Sequence, residues 1–180
     1  MIRHNQKYLD TIYKFYPKNI YPGNKEYLDS PEYAALLDLQ ELCLTDSERF
    51  DTLRKNIAKE RNVNVMERNI NFAHIAQFYL PEKIGYSKLE TCTIIVSGMA
   101  KVFSVYIRSE ITRITTLEGI RSKEEFDVIN SITEYIIRIY PEYESFDMDF
   151  YNTKVPGVMA NLRYNDYATY YECLLTHHIY

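Results

Sequence analysis

Apolar residues recur at helical spacing near both ends of the chain and at strand spacing in its middle. Over residues 5–16, Tyr8, Leu9, Ile12, Tyr13 and Tyr16 fall on roughly one face and predict a short helix that Pro17 ends. Residues 17–29 read as a loop punctuated by Tyr21-Pro22-Gly23-Asn24. Ser30-Pro31-Glu32 is a helix start, with Ser30 as cap and Pro31 in the first turn. That helix is expected to run to about Cys43, with Tyr33, Leu36, Leu37 and residues 39–42 as its apolar side. Thr45-Asp46-Ser47-Glu48 has the form of a capping box and opens a second helix to about Arg61, packed through Phe50, Leu53 and Ile57.

The period then changes. Val63 and Val65 alternate, and residues 72–80 are rich in aromatic and branched side chains up to Pro81. Residues 89–97 and 101–108 are β-rich runs around Gly98. In the second run, Val102, Ser104, Tyr106 and Arg108 share one face, while Phe103, Val105 and Ile107 share the other. Residues 111–116 extend the same meander. A second capping box, Ser122-Lys123-Glu124-Glu125, starts the clearest helix, about 123–140, with Phe126, Ile129, Ile132, Ile136, Ile137 and Tyr140 at helical spacing. Pro141 stops it. Residues 142–152 are acidic and aromatic and fit a loop or an edge strand. Residues 167–176 favour a strand by their tyrosines and threonines, although Asp166 could cap a helix. The expected architecture is a single α+β domain over residues 1–180: N-terminal helices, an antiparallel β-meander, one long helix packed on the sheet and a C-terminal return strand.

Composition supports a sizeable core. About 46% of residues are apolar, and a chain of 180 residues is long enough to bury roughly 70% of its unfolded surface. The three cysteines, Cys43, Cys92 and Cys173, are odd in number and widely spaced, which argues for buried thiols in a reducing compartment rather than disulfides or a zinc site. No apolar signal segment opens the chain, and the longest apolar run falls far short of the ~20 residues needed to cross a bilayer, so a cytoplasmic protein without membrane contact is expected. A pI near 5.6 argues against nucleic-acid binding, which needs a basic stripe.

Eighteen residues are tyrosine and none is tryptophan. Nine of the tyrosines lie between Tyr135 and Tyr180, and the last fifty residues carry seven acids against three bases, a difference equal to the net charge of −4. Tyrosine presents a stiff apolar face with a polar tip and anchors interfaces. Tyr13, Tyr33, Tyr106, Tyr135 and Tyr140 fall on apolar stripes or in β-rich runs and are expected in the core. Tyr143, Tyr151, Tyr164 and Tyr167 lie in or near the acidic stretch.

Catalytic signatures are weak. None of His4, His74, His177 and His178 has a ligand at helical spacing, so no metal is expected. The five glycines form no phosphate-binding loop and no nucleophile elbow, so no nucleotide cofactor is expected. Cys173 with His177, or Cys92 with His74, would make a nucleophile pair only if the fold aligned them; a core thiol is the plainer reading. The acidic stretch lacks the spacing and glycine of a calcium-binding loop. It reads either as a solvated loop or as a patch that steers and binds a basic protein.

The C-terminal run Asn152-Thr153-Lys154-Val155-Pro156-Gly157-Val158, followed by Ala168-Thr169-Tyr170-Tyr171-Glu172-Cys173-Leu174-Leu175-Thr176, resembles bacterial immunity proteins of polymorphic toxin systems. Tyr13-Lys14-Phe15-Tyr16-Pro17 with Ser30-Pro31-Glu32-Tyr33 is similar to the start of such proteins. The resemblance implies a non-enzymatic antidote that binds a cognate toxin domain, a basic nuclease being one class, and blocks it by occlusion. It brings no catalytic residues; Val155, Pro156 and Cys173 read as structural. The residues expected to meet the toxin are Glu142, Tyr143, Glu144, Asp147, Asp149, Tyr151, Tyr164 and Tyr167. A small enzyme with a carboxylate or thiol site, and an adaptor that self-associates through its tyrosines, remain as alternatives, and an immunity protein can itself form a homodimer.

Overall fold

The alternation read from the fourth strand runs through the sheet and sets the layering of the whole molecule. A computed structural model describes residues 2–45, 47–70, 72–80, 90–109, 122–160 and 166–176. Four helices come first: α1 (Ile2–Ile12), α2 (Lys25–Leu28), α3 (Pro31–Thr45) and α4 (Glu48–Arg61). The strands β1 (Met66–Ile70), β2 (Ala73–Tyr79), β3 (Glu90–Ser97) and β4 (Val102–Ser109) then form an antiparallel meander. After the helix α5 (Lys123–Ile139), the short strand β5 (Glu144–Ser145) joins β4 in parallel, giving the order β1-β2-β3-β4-β5. A 3₁₀ turn (Met148–Phe150), a two-stranded ladder of β6 (Lys154–Met159) and β7 (Tyr167–Thr169), and a π-helical turn (Glu172–Thr176) complete the described chain. The expected α+β class is the observed one.

Both faces of the sheet are covered. Ile75, Ile95 and Val102 join one apolar cluster with Tyr8, Ile12, Tyr16 and Leu36 from the N-terminal helices and with Tyr170, Cys173, Leu174 and Leu175 from the C-terminal turn. Ala76, Phe78, Ile94, Val96, Phe103 and Ile107 point the other way, onto Phe50, Leu53 and Ile57 of α4 and Val128, Ile132 and Ile136 of α5. Every residue of β3 is therefore buried, and between Glu90 and Ser97 at its ends the strand holds only threonine, cysteine and branched apolar residues. The two faces read for β4 are observed: Tyr106 packs with the first cluster and Val105 with the second. Full burial of a side chain such as Phe50 or Leu53 contributes about 1.5–3 kcal/mol.

The caps are mixed. Ser30 Oγ accepts from the Tyr33 amide at 3.1 Å, and Ser122 Oγ accepts from the Glu125 amide at 3.2 Å, as expected of caps. The box at Thr45-Asp46-Ser47-Glu48 does not open α4, because α3 runs on to Thr45 and Ser47 at the α4 N-cap makes no side-chain capping bond. The first helix starts at Ile2, and hydrogen bonds to Leu9, Thr11 and Ile12 carry its turns on to Tyr16. The loop expected over 17–29 contains α2.

Three further expectations need correction. Leu37 and Leu42 do not face the core: they are 45% and 63% exposed, while Leu36 is buried. In α5 the buried positions are Glu125, Val128, Ile132 and Ile136; Phe126 and Ile137 are exposed. The C-terminal return strand is only Tyr167–Thr169, after which the chain turns into the buried helical segment. Carbonyls in that segment are met from a distance, by Tyr16 Oη on Cys173 O at 3.1 Å and Ser97 Oγ on Leu174 O at 2.5 Å. Residues 111–116, assigned to the meander by sequence, lie outside the described residues.

Gly98 shows how closely α3 approaches the β3–β4 turn. A Cβ there would lie 2.0 Å from Cys43 Sγ and 2.9 Å from the Phe72 carbonyl oxygen, and the Gly98 amide itself donates to that carbonyl at 2.6 Å. No described helix is long and apolar enough to cross a membrane.

Candidate functional site

The acidic stretch starts where α5 ends, and its first residues are tied to α4. Arg49 donates to Glu142 Oε1 at 2.8 Å and Oε2 at 3.2 Å, and to the Ile139 carbonyl at 2.6 Å. Its guanidinium lies 4.3 Å from the centre of the Tyr140 ring. One arginine thus satisfies a C-terminal carbonyl of α5 and fixes the first acid of the loop. Tyr143, half-buried, meets Tyr140 edge-on at 5.0 Å.

The chain then closes the sheet edge. The Glu144 amide donates to Lys101 O at 3.0 Å and the Phe146 amide to Phe103 O at 2.7 Å. Glu144 pairs with Lys7 of α1 at 2.7 Å. Phe146 and Phe150 turn inward, stacked on Tyr8 at 5.6 Å and edge-on to it at 5.7 Å. Phe150 also meets Tyr170 at 5.2 Å, and Tyr151 meets Tyr171 at 4.4 Å. The Tyr8 hydroxyl accepts from the Asp147 amide at 3.3 Å, while Asp147 Oδ1 accepts from the Asp149 amide at 3.1 Å and so caps the 3₁₀ turn. Burial raises the Tyr8 and Tyr171 hydroxyls above their usual range and pushes Tyr170 up to about 12. These rings remain neutral at any physiological pH.

The alternation of acid and aromatic therefore has a structural meaning. The phenylalanines fasten the loop to the core, and the acids between them stay outside. Glu142 and Glu144 are held in ion pairs, whereas Asp147 and Asp149 join none among the described residues. Asp149 is exposed; Asp147 and Tyr151 are half-buried. Tyr167 is 42% exposed but sits at the far end of the β6–β7 ladder, paired with Met159. The loop joins that ladder at its other end, through the Tyr170 amide on Thr153 O. Residues 142–151 thus form one contiguous surface and Tyr167 does not extend it. Tyr164 lies outside the described residues. Asp166, next to Tyr167, pairs with Lys154 at 2.8 Å.

Cys92 and Cys173 are poor nucleophiles. Burial pushes Cys92 up to about 12 and Cys173 well above its usual value, so both stay protonated at neutral pH. His74 is stacked on Phe50 at 4.9 Å rather than directed at a thiol, and His177 lies outside the described residues. No group of three or more His, Cys, Asp or Glu among the described residues could hold a metal ion. An open groove of about 420 Å³ between α4 and α5, lined by Asn56, Lys59, Glu60, Tyr135 and Arg138, mixes both charge signs. Comparisons with protein-family models, with curated proteins and with solved structures find no match.

The Arg49 hydrogen bond, and next the loop's own backbone, hold the Glu142 carboxyl down to about 2 from an ordinary 4.5. Because the folded group has the lower value, the unfolded chain takes up the proton first. The contribution to stability is complete above pH 4.5 and is lost as pH falls toward about 2. Asp166, lowered by Lys154, adds in the same direction. Glu142→Gln is expected to flatten the acid limb of the stability curve across that window. Denaturation midpoints measured along a pH series check this; parallel curves for variant and parent would refute it.

Proposed function

We propose that this chain is a cytoplasmic immunity protein that binds a cognate bacterial toxin domain and neutralises it by occlusion, with residues 142–151 as the contact loop. The observation that carries the reading is the fixation of that loop. Phe146 and Phe150 are buried in an aromatic cluster with Tyr8 and Tyr170, and the turn over residues 147–151 leaves Asp149 exposed with half-buried Asp147 and Tyr151 beside it. A surface ordered before the partner arrives loses little conformational freedom on binding, which favours tight association. Two aspartates outside any described ion pair are also open to a lysine or arginine of the partner. The resemblance of the two chain ends to immunity proteins supplies the class of that partner, and the acidic character of the last fifty residues suits a basic toxin domain, a nuclease being one such class.

The test is coexpression with the toxin domain encoded by the reading frame immediately upstream. Growth should be rescued by the parent and lost with Asp147→Lys combined with Asp149→Lys. Titration of the purified pair should show an affinity loss of about 100-fold or more, consistent with ~1.5–3 kcal/mol for each charge-assisted bond removed. A parent that neither rescues growth nor binds that domain removes the toxin assignment. A double variant that binds as the parent does removes the loop.

A further inference from the structure

We propose that the outward face of α3 is a second docking surface, and that its occupant is a protein surface with a cationic strip flanked by apolar side chains. The observation is independent of the loop at residues 142–151. With Leu36 buried, the opposite arc of the helix carries Ala34, Leu37, Asp38, Glu41 and Leu42, all exposed. Leu42, at 63%, is the most exposed large apolar side chain described. At ~100° per residue the two leucines lie about 140° apart around the helix, at the two edges of this arc, with Asp38 and Glu41 between them, so the face is an acidic strip flanked by apolar side chains.

Charge selects the occupant. From Glu26 to Glu48 the chain has seven acids and no base. A second copy docked through the same face about a two-fold axis would set acid against acid, which costs association free energy. Nucleic acid and anionic lipid carry the same sign and are repelled. A strip of lysines or arginines between apolar side chains complements both the acids and the leucines that flank them.

The probe is an amphipathic helical peptide of leucine and lysine about as long as α3, titrated against the full chain, with a leucine–glutamate peptide of the same pattern as control. Saturable one-to-one binding of the lysine peptide is expected, weakened by added salt. Leu37→Ser with Leu42→Ser, and separately Asp38→Lys with Glu41→Lys, should each weaken it at least ~10-fold. All four positions are exposed, so the melting temperature should stay at the parent value. Asp147→Lys with Asp149→Lys should leave peptide binding unchanged, which separates this surface from the loop. Equal binding of the glutamate peptide, affinities within about twofold of parent in both α3 variants, or loss on altering the loop would each overturn the proposal. A dimer in sedimentation that Leu37→Ser with Leu42→Ser dissociates would overturn it in favour of a second copy.

Discussion

Replacing Tyr8 by alanine is expected to lower the unfolding free energy by about 3–5 kcal/mol, the range for removing a large ring from a packed interior. Tyr8 is almost fully buried and meets Phe146, Phe150 and Tyr170 with centroids 5.6, 5.7 and 6.3 Å away. Its ring neighbours come from two stretches of chain, the 146–150 turn and Tyr170, each held by its own backbone bonds, so they cannot simply collapse into the space a ring leaves. The hydroxyl is a smaller matter: Tyr8→Phe removes the acceptor of the Asp147 amide and should cost about 1 kcal/mol. Urea denaturation of the two variants measures both figures. Hydrogen exchange should also quicken at residues 147–151 in the alanine variant, since Tyr8 is the floor under that turn. A loss below ~1 kcal/mol for alanine would mean that the cluster repacks and that Tyr8 is not what holds the loop.

The second large effect is expected at Ser97. Its hydroxyl, at the end of β3 and fully buried, donates to Leu174 O at 2.5 Å and accepts from the Met99 and Ala100 amides at 3.2 and 3.1 Å. One oxygen thus finishes the β3–β4 turn and pins the C-terminal helical segment against the sheet. Ser97→Ala leaves three backbone groups without this partner, two of them in buried bonds. Each buried unsatisfied group costs ~1–3 kcal/mol, and relaxation recovers part of it, so a loss of about 3 kcal/mol is expected. The same denaturation experiment decides: a loss under ~1 kcal/mol would show that water or a shifted carbonyl takes over the bonds.

Local signals carried the long helix and the meander, because in both the cause is local. Ser122 caps α5 where it stands, and the two faces of β4 follow from a period of two. The orientation of α3 was not legible. Its apolar residues run nearly all round the helix, so periodicity could not say that Leu36 faces the core and Leu37 does not. The end of the chain misled for another reason. Tyrosine and threonine favour a strand, but Ser97 and Tyr16, far away in sequence, satisfy the carbonyls of a helical turn instead. At the candidate site, the mixture of acids and rings was visible as a pattern. Which acids stay outside ion pairs was not, because Glu142 and Glu144 meet Arg49 and Lys7 from 93 and 137 positions away.

The tyrosines of the first helical segment have a consequence for the order of folding. Tyr8 reaches Asp147, Tyr13 reaches Pro156 O and Tyr16 reaches Cys173 O, across 139, 143 and 157 positions. Contacts so distant in sequence are slow to form, and on a ribosome their partners are made long after the helix itself. The α1 segment must therefore wait, its aromatic face in water, until residues through Cys173 have left the exit tunnel. The second apolar cluster draws its members from α4 to Tyr140 and can form first. The turn at residues 142–151 is consequently among the later parts of the described chain to take shape, because its aromatic floor is completed only when Tyr170 has been made.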